Sequence, residues 1–206
     1  MPIANLYRQA QVSPANDYLW PPLTKIIGMQ KWEDRRAFDL GCGNGNTAGR
    51  LAAEHDFSVL GVDMSESGIA DARHANLRGT TFEIGSVYDD LAAKYGTFPL
   101  VISLEVIEHC FEPRKFVRTF LDLIAPGGVG VLSTPYHGYL KNVALAVAGK
   151  MDFHYMALWD YGHIKFFSID TLRQILEEMG VTNIEFVRVG RIPPFAKSMI
   201  AVVRKP

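Results

Sequence analysis

Three observations predict an α/β fold with a mostly parallel sheet and helices on both faces. An apolar strand ending in Phe38-Asp39-Leu40 runs straight into a glycine turn, Gly41-Cys42-Gly43-Asn44-Gly45, and a helical pattern starts at Thr47. A second short apolar strand, Val59-Leu60-Gly61-Val62, follows and ends in an acid, Asp63. Apolar strands then keep alternating with helical stretches until the chain closes on two successive strands. Alternation of this kind builds parallel βαβ units, and a closing hairpin makes the last strand antiparallel to the rest.

In chain order, residues 1–34 precede the first strand. They mix aromatics with a double proline (Tyr18-Leu19-Trp20-Pro21-Pro22), and Leu23 to Met29 has helical apolar spacing. Strand 1 is expected at 36–41, a helix at 47–55 and strand 2 at 57–63. A further helix starts from Ser67, with Ser65 or Ser67 able to cap it. Strand 3 is expected at 81–85, strand 4 at 100–104, a helix at 113–124 with Pro113 in its first turn, and strand 5 at 130–134. Ala125-Pro126-Gly127-Gly128 reads as the end of the helix before strand 5. The last helix runs from 168 to 179 and stops at Gly180. Strands at 184–192 and 198–203, joined through Pro193-Pro194-Phe195, complete seven. Residues 136–167 fall outside this repeat, are rich in aromatics, and include a short apolar helical stretch from Val143 to Ala148.

Composition bounds the functional classes. The chain has 206 residues, enough for one domain, 1–206, with a good core. It is 48% hydrophobic and 21% charged, ordinary for a soluble globular protein. A net charge of −1 gives no electrostatic reason for a nucleic-acid partner. The two cysteines, Cys42 and Cys110, form no disulfide framework, so a reducing, cytoplasmic setting is the expectation. Neither a secretory signal nor a membrane-spanning run is apparent.

The turn carries the first chemical signal. Its spacing is Gly41-x-Gly43-x-Gly45, and the dinucleotide fingerprint would need a glycine where Asn46 stands. Asp39 also argues against a dehydrogenase, because a carboxylate beside the turn repels a pyrophosphate. It suits a ligand with a cationic head, such as S-adenosylmethionine (SAM). An acid at the tip of the second strand, Asp63, can take both ribose hydroxyls.

The string DLGCGNG followed by GVDMS closely resembles the cofactor motifs of class I SAM-dependent methyltransferases, and the resemblance runs from about residue 35 to the C-terminus. It implies a Rossmann-like, seven-stranded sheet with SAM at the glycine turn. The implied contacts are Asp39, Gly41 and Gly43 at the methionine end, Asp63 on the ribose, Met64 on the adenine, and the Leu104 backbone near the amino group. The adenine also lies near Ser86 and Val87 in the family, where many relatives carry an acid at the position of Ser86. The family's N-terminal segments often lie over the cofactor, so 1–34 is expected as a lid, with packing on the outside of the sheet as the alternative. Residues 136–167 are expected as a substrate cap, the alternatives being a dimer-forming, decorative or membrane-surface insertion.

Immediately past strand 4 stand Glu105, Glu108 and His109. A helical turn there would put all three on one face. Carboxylates and imidazole suit a hard or borderline divalent cation. With His163 and Ser133-Thr134-Pro135, this E-x-x-E-H…H pattern resembles the ubiquinone-pathway O-methyltransferases, of the methyltransferase type 11/23 group, and the small-RNA terminal 2′-O-methyltransferases. In them such residues are associated with a divalent metal that binds substrate hydroxyls. The resemblance therefore implies Glu105, Glu108, His109 and His163 as ligands of Mg²⁺ or Mn²⁺, with His109, Glu108 and His163 as the catalytic group. The expected reaction is methyl transfer to a hydroxyl of a small phenolic, catechol-like or apolar molecule. The alternatives are metal-free transfer to nitrogen, carbon or carboxylate with His109 as base, a purely structural cluster, and a SAM-binding protein without catalysis.

Overall fold

The computed structural model describes residues 14–206. Residues 1–13 of the expected lid lie outside the described residues. Helix α1 spans Pro14–Gly28, β1 Arg36–Leu40, α2 Asn46–His55, β2 Ser58–Asp63, α3 Glu66–His74 and β3 Thr80–Ile84. Then come α4 Leu91–Tyr95, β4 Phe98–Leu104, α5 Pro113–Leu123, β5 Ile124–Pro135, α6 Tyr139–Val147 and α7 Met151–Tyr155. Helix α8, Ile169–Glu178, and strands β6, Ile184–Val189, and β7, Ser198–Arg204, close the chain.

The seven strands form one sheet in the order β3-β2-β1-β4-β5-β7-β6. Strands β1 to β5 pair in parallel, and β7 lies antiparallel between β5 and β6. This is the Rossmann-like class I arrangement that the sequence predicted. The order reverses between β1 and β4, and ligands of such sheets lie at the carboxyl ends of the strands beside that reversal.

The pleat explains why the central strands are apolar throughout. Leu100 and Ile102 of β4 enter one core and Val101 the other. Along β7, Met199, Ala201 and Val203 face one side while Ile200 and Val202 face the opposite one. Helix α5 supplies Phe116, Val117, Phe120 and Leu123, at helical spacing, to the core that Val101 enters. Helix α1 supplies Leu19, Leu23, Ile26 and Ile27 to the core of Leu100 and Ile102.

Helix α1 therefore packs on the outside of the sheet. Trp20 is buried there, donates its indole N–H to Glu54 at 2.9 Å, and lies under Arg50 at 4.0 Å. Tyr18 turns towards the strand tips, where it meets Ser198.

Some expected boundaries are corrected. The segment 124–128 is sheet rather than a helix end. Phe98 pairs with Ile124, the register slips, and Leu100 pairs with Val129, while Gly127 and Gly128 bond to Lys205. Ser65, not Ser67, caps α3, accepting from the Gly68 N–H at 3.1 Å. Strand β6 stops at Val189 instead of 192, where Gly190 takes a positive φ. The chain past β4 forms only a 3-10 turn, Ile107–His109, in place of a helical face from 105 to 109.

Candidate functional site

The glycine turn is built by hydrogen bonds from β2. The N–H groups of Gly41 and Cys42 both donate to the Val62 carbonyl, at 2.8 and 3.1 Å. Asp63 holds the turn from below, accepting from the Gly43 N–H at 2.9 Å and from the Ser65 N–H at 2.8 Å. Gly45 has φ +76, and a Cβ there would stand 2.5 Å from the Phe82 ring and 3.0 Å from Ala72. Gly45→Ala is expected to cost about 2–4 kcal/mol, the left-handed backbone and the overpacked ring adding. Urea denaturation checks this, and a loss under 1 kcal/mol would show that Phe82 simply moves aside.

Asp39 is 2% exposed, and its Oδ2 has no hydrogen-bond partner. Burial, and then the charge of Asp63, push its carboxyl up to about 7. A buried acid with an orphaned oxygen at this point fits a cationic group arriving in the crevice. Met64 is 61% exposed at the tip of β2. In the turn after β3, the Ser86 hydroxyl accepts from the Tyr88 N–H and Asp89 folds back to accept from the Ser86 N–H. Val87 packs against the core beside it, and Leu104 is half-buried at the end of β4.

The second half of the site lies past β4 and β5. Glu105 takes φ +57 and so leaves the face that 108 and 109 share. Both its carboxylate oxygens are engaged, accepting from Ser133 Oγ at 2.8 Å and Ser198 Oγ at 3.0 Å. Because the Ser198 proton goes to Glu105, the Tyr18 hydroxyl donates to Ser198, at 2.9 Å. Burial pushes Glu105 up to about 7.

Glu108 is fully buried. Its Oε2 accepts from Thr134 Oγ1 at 3.0 Å, but its Oε1 has no hydrogen-bond partner and stands 4.0 Å from His163 Nε2. Burial first, then the charge of Glu105, raise its carboxyl well above the usual range. His163 is brought opposite by its neighbours, since the Ile164 and Lys165 N–H groups both donate to the Glu108 carbonyl, at 2.9 and 3.0 Å. Burial and the neighbouring histidines lower His163 to about 4. An imidazole so depressed is neutral at pH 7, so the 4.0 Å approach to Glu108 is not an ion pair.

His109 Nδ1 lies 3.1 Å from the Tyr161 carbonyl and 3.3 Å from that of Gly162. A carbonyl only accepts, so Nδ1 carries the proton and Nε2 keeps its lone pair. Burial lowers His109 as well. One potential ligand atom from each of Glu108, His109 and His163 lies within 4.8 Å of the others. The structure thus gathers three of the four expected ligands, and Glu105 stands apart, its oxygens turned to serine hydroxyls. The orphaned Glu108 Oε1 beside neutral imidazoles is a donor set that fits a divalent cation.

Sequence reasoning missed the supporting hydroxyls of Tyr18 and Ser198, and two further histidines. His137 and His154 sit with ring centroids 5.4 Å apart, and the buried His137 Nδ1 and His154 Nε2 lack partners. Their aromatic-rich setting between 136 and 167 was the only signal.

A family model described as a methyltransferase domain matches residues 9–185. The chain belongs to the methyltransferase domain family. With its sheet order and glycine turn, it is a class I SAM-dependent methyltransferase. Among curated relatives, this methyltransferase is 38% identical over 127 residues to a ubiquinone biosynthesis O-methyltransferase of Caulobacter sp. (strain K31), covering 59% of this chain and 49% of that protein. It is 30% identical over 156 residues to a protein of the same name from Ruegeria pomeroyi, covering 73% and 61%. The methyltransferase spans about half to three-fifths of the length of these relatives. Among solved structures, a chain from the complex of the Haloferax volcanii Trm112 methyltransferase activator with a methyltransferase superposes with a TM-score of 0.74 at 14% identity, over 100% of this chain and 98% of that one. No helix of the described residues is long and apolar enough to cross a membrane.

Proposed function

We propose that this methyltransferase transfers the methyl group of SAM to a hydroxyl of a small phenolic, catechol-like or apolar molecule, with Glu108, His109 and His163 holding a divalent cation, Mg²⁺ or Mn²⁺. One observation carries the reading. A fully buried carboxylate oxygen, Glu108 Oε1, has no hydrogen-bond partner and faces His163 beside a second imidazole, at the carboxyl ends of β4 and β5. The similarity to O-methyltransferases over the shared region supports it.

The chain's own residues do the positioning. Asp39 receives the cationic methionine end, and Asp63, fixed by two main-chain N–H groups, keeps lone pairs for the ribose hydroxyls. Gly41 and Gly43 admit the cofactor without side chains, Met64 covers the adenine, Ser86 and Val87 border it, and the Leu104 backbone lies near the amino group. SAM supplies a methyl on a positively charged sulfur. The acceptor hydroxyl gives its proton to solvent and its oxygen displaces that sulfur in line, so the new bond is O–C, the broken bond is C–S, and the sulfur leaves neutral. A cation held by the three residues supplies positive charge that lowers the pKa of a hydroxyl. Thr134 fixes the Glu108 carboxyl, and the Tyr161 and Gly162 carbonyls fix the His109 tautomer. The acceptor is a small molecule, and the net charge of −1 gives nucleic acid no field to follow.

The His109 tautomer favours a second reading. Its bare Nε2 can take the acceptor proton directly, which would serve nitrogen, carbon or carboxylate acceptors without a metal.

Calorimetric titration of Mg²⁺ and Mn²⁺ into protein saturated with S-adenosylhomocysteine separates the two. Saturable binding, lost in Glu108→Ala and in His163→Ala, is the expected result. Absence of binding removes the cation and leaves His109 as the base.

A further inference from the structure

A cavity of about 340 Å³ opens beside the cap, between α6 and the connection from β6 to β7. Volumes of this size hold small ligands. Its lining is unusual in charge. Lys141, Lys150, Arg191, Lys197 and His154 border it, and among the described residues no acidic side chain does. None of the four lysine and arginine side chains forms an ion pair among the described residues. Like charges repel, so gathering them with only Glu105 acting on Lys141 as a counter-charge costs stability unless an anion shares the space.

Helical spacing builds one wall. Lys141, Ala144, Leu145 and Ala148 recur on a single face of α6, and Phe195 faces them from the other side. Lys141 stands at the base. It is buried, and its ammonium donates to the Tyr136 carbonyl at 2.7 Å and more distantly to that of Lys197, at 3.4 Å. An ammonium has three protons, so one is left. His154 adds a buried Nε2 with no partner. Burial and the charge of Arg191 lower Lys141 to about 8, so an arriving anion would meet a cation still mostly protonated at pH 7.

The cavity is coupled to the proposed catalytic cluster through His154, one of its lining residues. His154 packs on His137, and its charge acts on His163. Lys141 interacts electrostatically with Glu105. An acceptor with its hydroxyl at Glu108 and His163 would reach the basic cavity past His154.

We propose that this cavity is a specificity pocket for an anionic group, carboxylate or phosphate, carried by the methyl acceptor on an apolar body, with Lys141, Arg191 and Lys150 as its recognition residues. The pocket deepens the hydroxyl-methylation reading and rests on it. Ala144, Leu145 and Phe195 cover the apolar body, and the cations hold its charged end.

The test compares two acceptors of equal length, 3-(3,4-dihydroxyphenyl)propanoate and 4-propylcatechol, in a radiolabelled methyl-transfer assay. The carboxylate acceptor is expected to have a KM about 10-fold lower, the size of effect one well-placed charge gives. Arg191→Ala is expected to raise that KM about 10-fold, to change the KM of the neutral acceptor by less than about 2-fold, and to be partly restored by Arg191→Lys. Arg191 is exposed, so the substitution leaves the core intact. Equal KM values, insensitive to Arg191→Ala, overturn the pocket and leave hydroxyl methylation standing. If neither acceptor turns over, the hydroxyl reading fails, and calorimetry with 3-phenylpropanoate decides the pocket. Saturable binding weakened about 10-fold in Arg191→Ala supports it, and no binding overturns it. Inorganic phosphate separates the remaining source. Competition with the carboxylate acceptor supports an acceptor pocket, whereas phosphate binding that leaves the acceptor KM unchanged marks a separate anion site and overturns it.

Discussion

Glu108→Gln is expected to make the protein more stable and nearly inactive. The side chain is fully buried, one oxygen accepts from Thr134, and the other has no hydrogen-bond partner. At pH 8 such a carboxyl is either charged without a partner or protonated against its preference in water, and both cost free energy. An amide keeps the volume and the Thr134 hydrogen bond while removing that cost, for a gain of about 1–3 kcal/mol. The same change removes the negative ligand of the proposed cation site, and methyl transfer to a hydroxyl should fall about 100-fold or more. Thermal unfolding and a transfer assay on one preparation check both halves. Full activity in Glu108→Gln would rule out a charged role for this residue, and a large loss of stability would mean that Oε1 has a partner in solution.

The second large effect concerns pH and Asp39. Its folded-state carboxyl lies at about 7, against an ordinary value of 3.8. A carboxyl raised on folding contributes stability that is fully present below its unfolded pKa and is lost as pH rises through its folded pKa. The window is therefore about pH 4 to 8, and the contribution lost across it is of order 4 kcal/mol. Asn at position 39 cannot titrate, so the stability difference between wild type and Asp39→Asn should change by that amount between pH 4 and pH 8, the variant gaining at high pH. Urea denaturation at the two pH values measures it. Adding S-adenosylhomocysteine at pH 8 should stabilise wild type more than the variant, because its ammonium supplies the missing counter-charge. Equal stabilisation of both would place the ammonium elsewhere.

The parts of the site that were legible in the sequence are the parts made locally. The turn from 41 to 45 and Asp63 come from two consecutive βα units, and each strand announces itself by an apolar run with a turn behind it. His163 was legible only through its resemblance context, because its position opposite Glu108 is fixed by main-chain bonds across the sequence. Glu105 shows where local reasoning stops. Regular helical spacing put it beside Glu108 and His109, but its left-handed backbone turns it to Ser133 and Ser198, partners distant in the chain. A non-glycine residue in that conformation carries no compositional signal. The same holds for the start of β5. Proline and two glycines read as a loop, and only Lys205, from the far end of the chain, makes 127–128 part of a sheet. Lys141 carries no signal in the sequence, because the carbonyls that hold its ammonium belong to Tyr136 and to Lys197, far along the chain.

The two ends of the cap are tied independently of its interior. The His137 N–H donates to the Phe167 carbonyl at 2.9 Å, and Ile164 and Lys165 are clamped to Glu108. Residues 138–162 thus hang from a fixed stem, as a cassette does from its frame. Chain lengths and sequences inside such a stem can vary at little entropic cost, since doubling a closed loop adds only about 0.6 kcal/mol. The segment can therefore diverge while its stem stays fixed. A graft of this segment would keep His163 and Glu108 in register, and would preserve the His109 tautomer only where the carbonyls at 161 and 162 still meet its Nδ1.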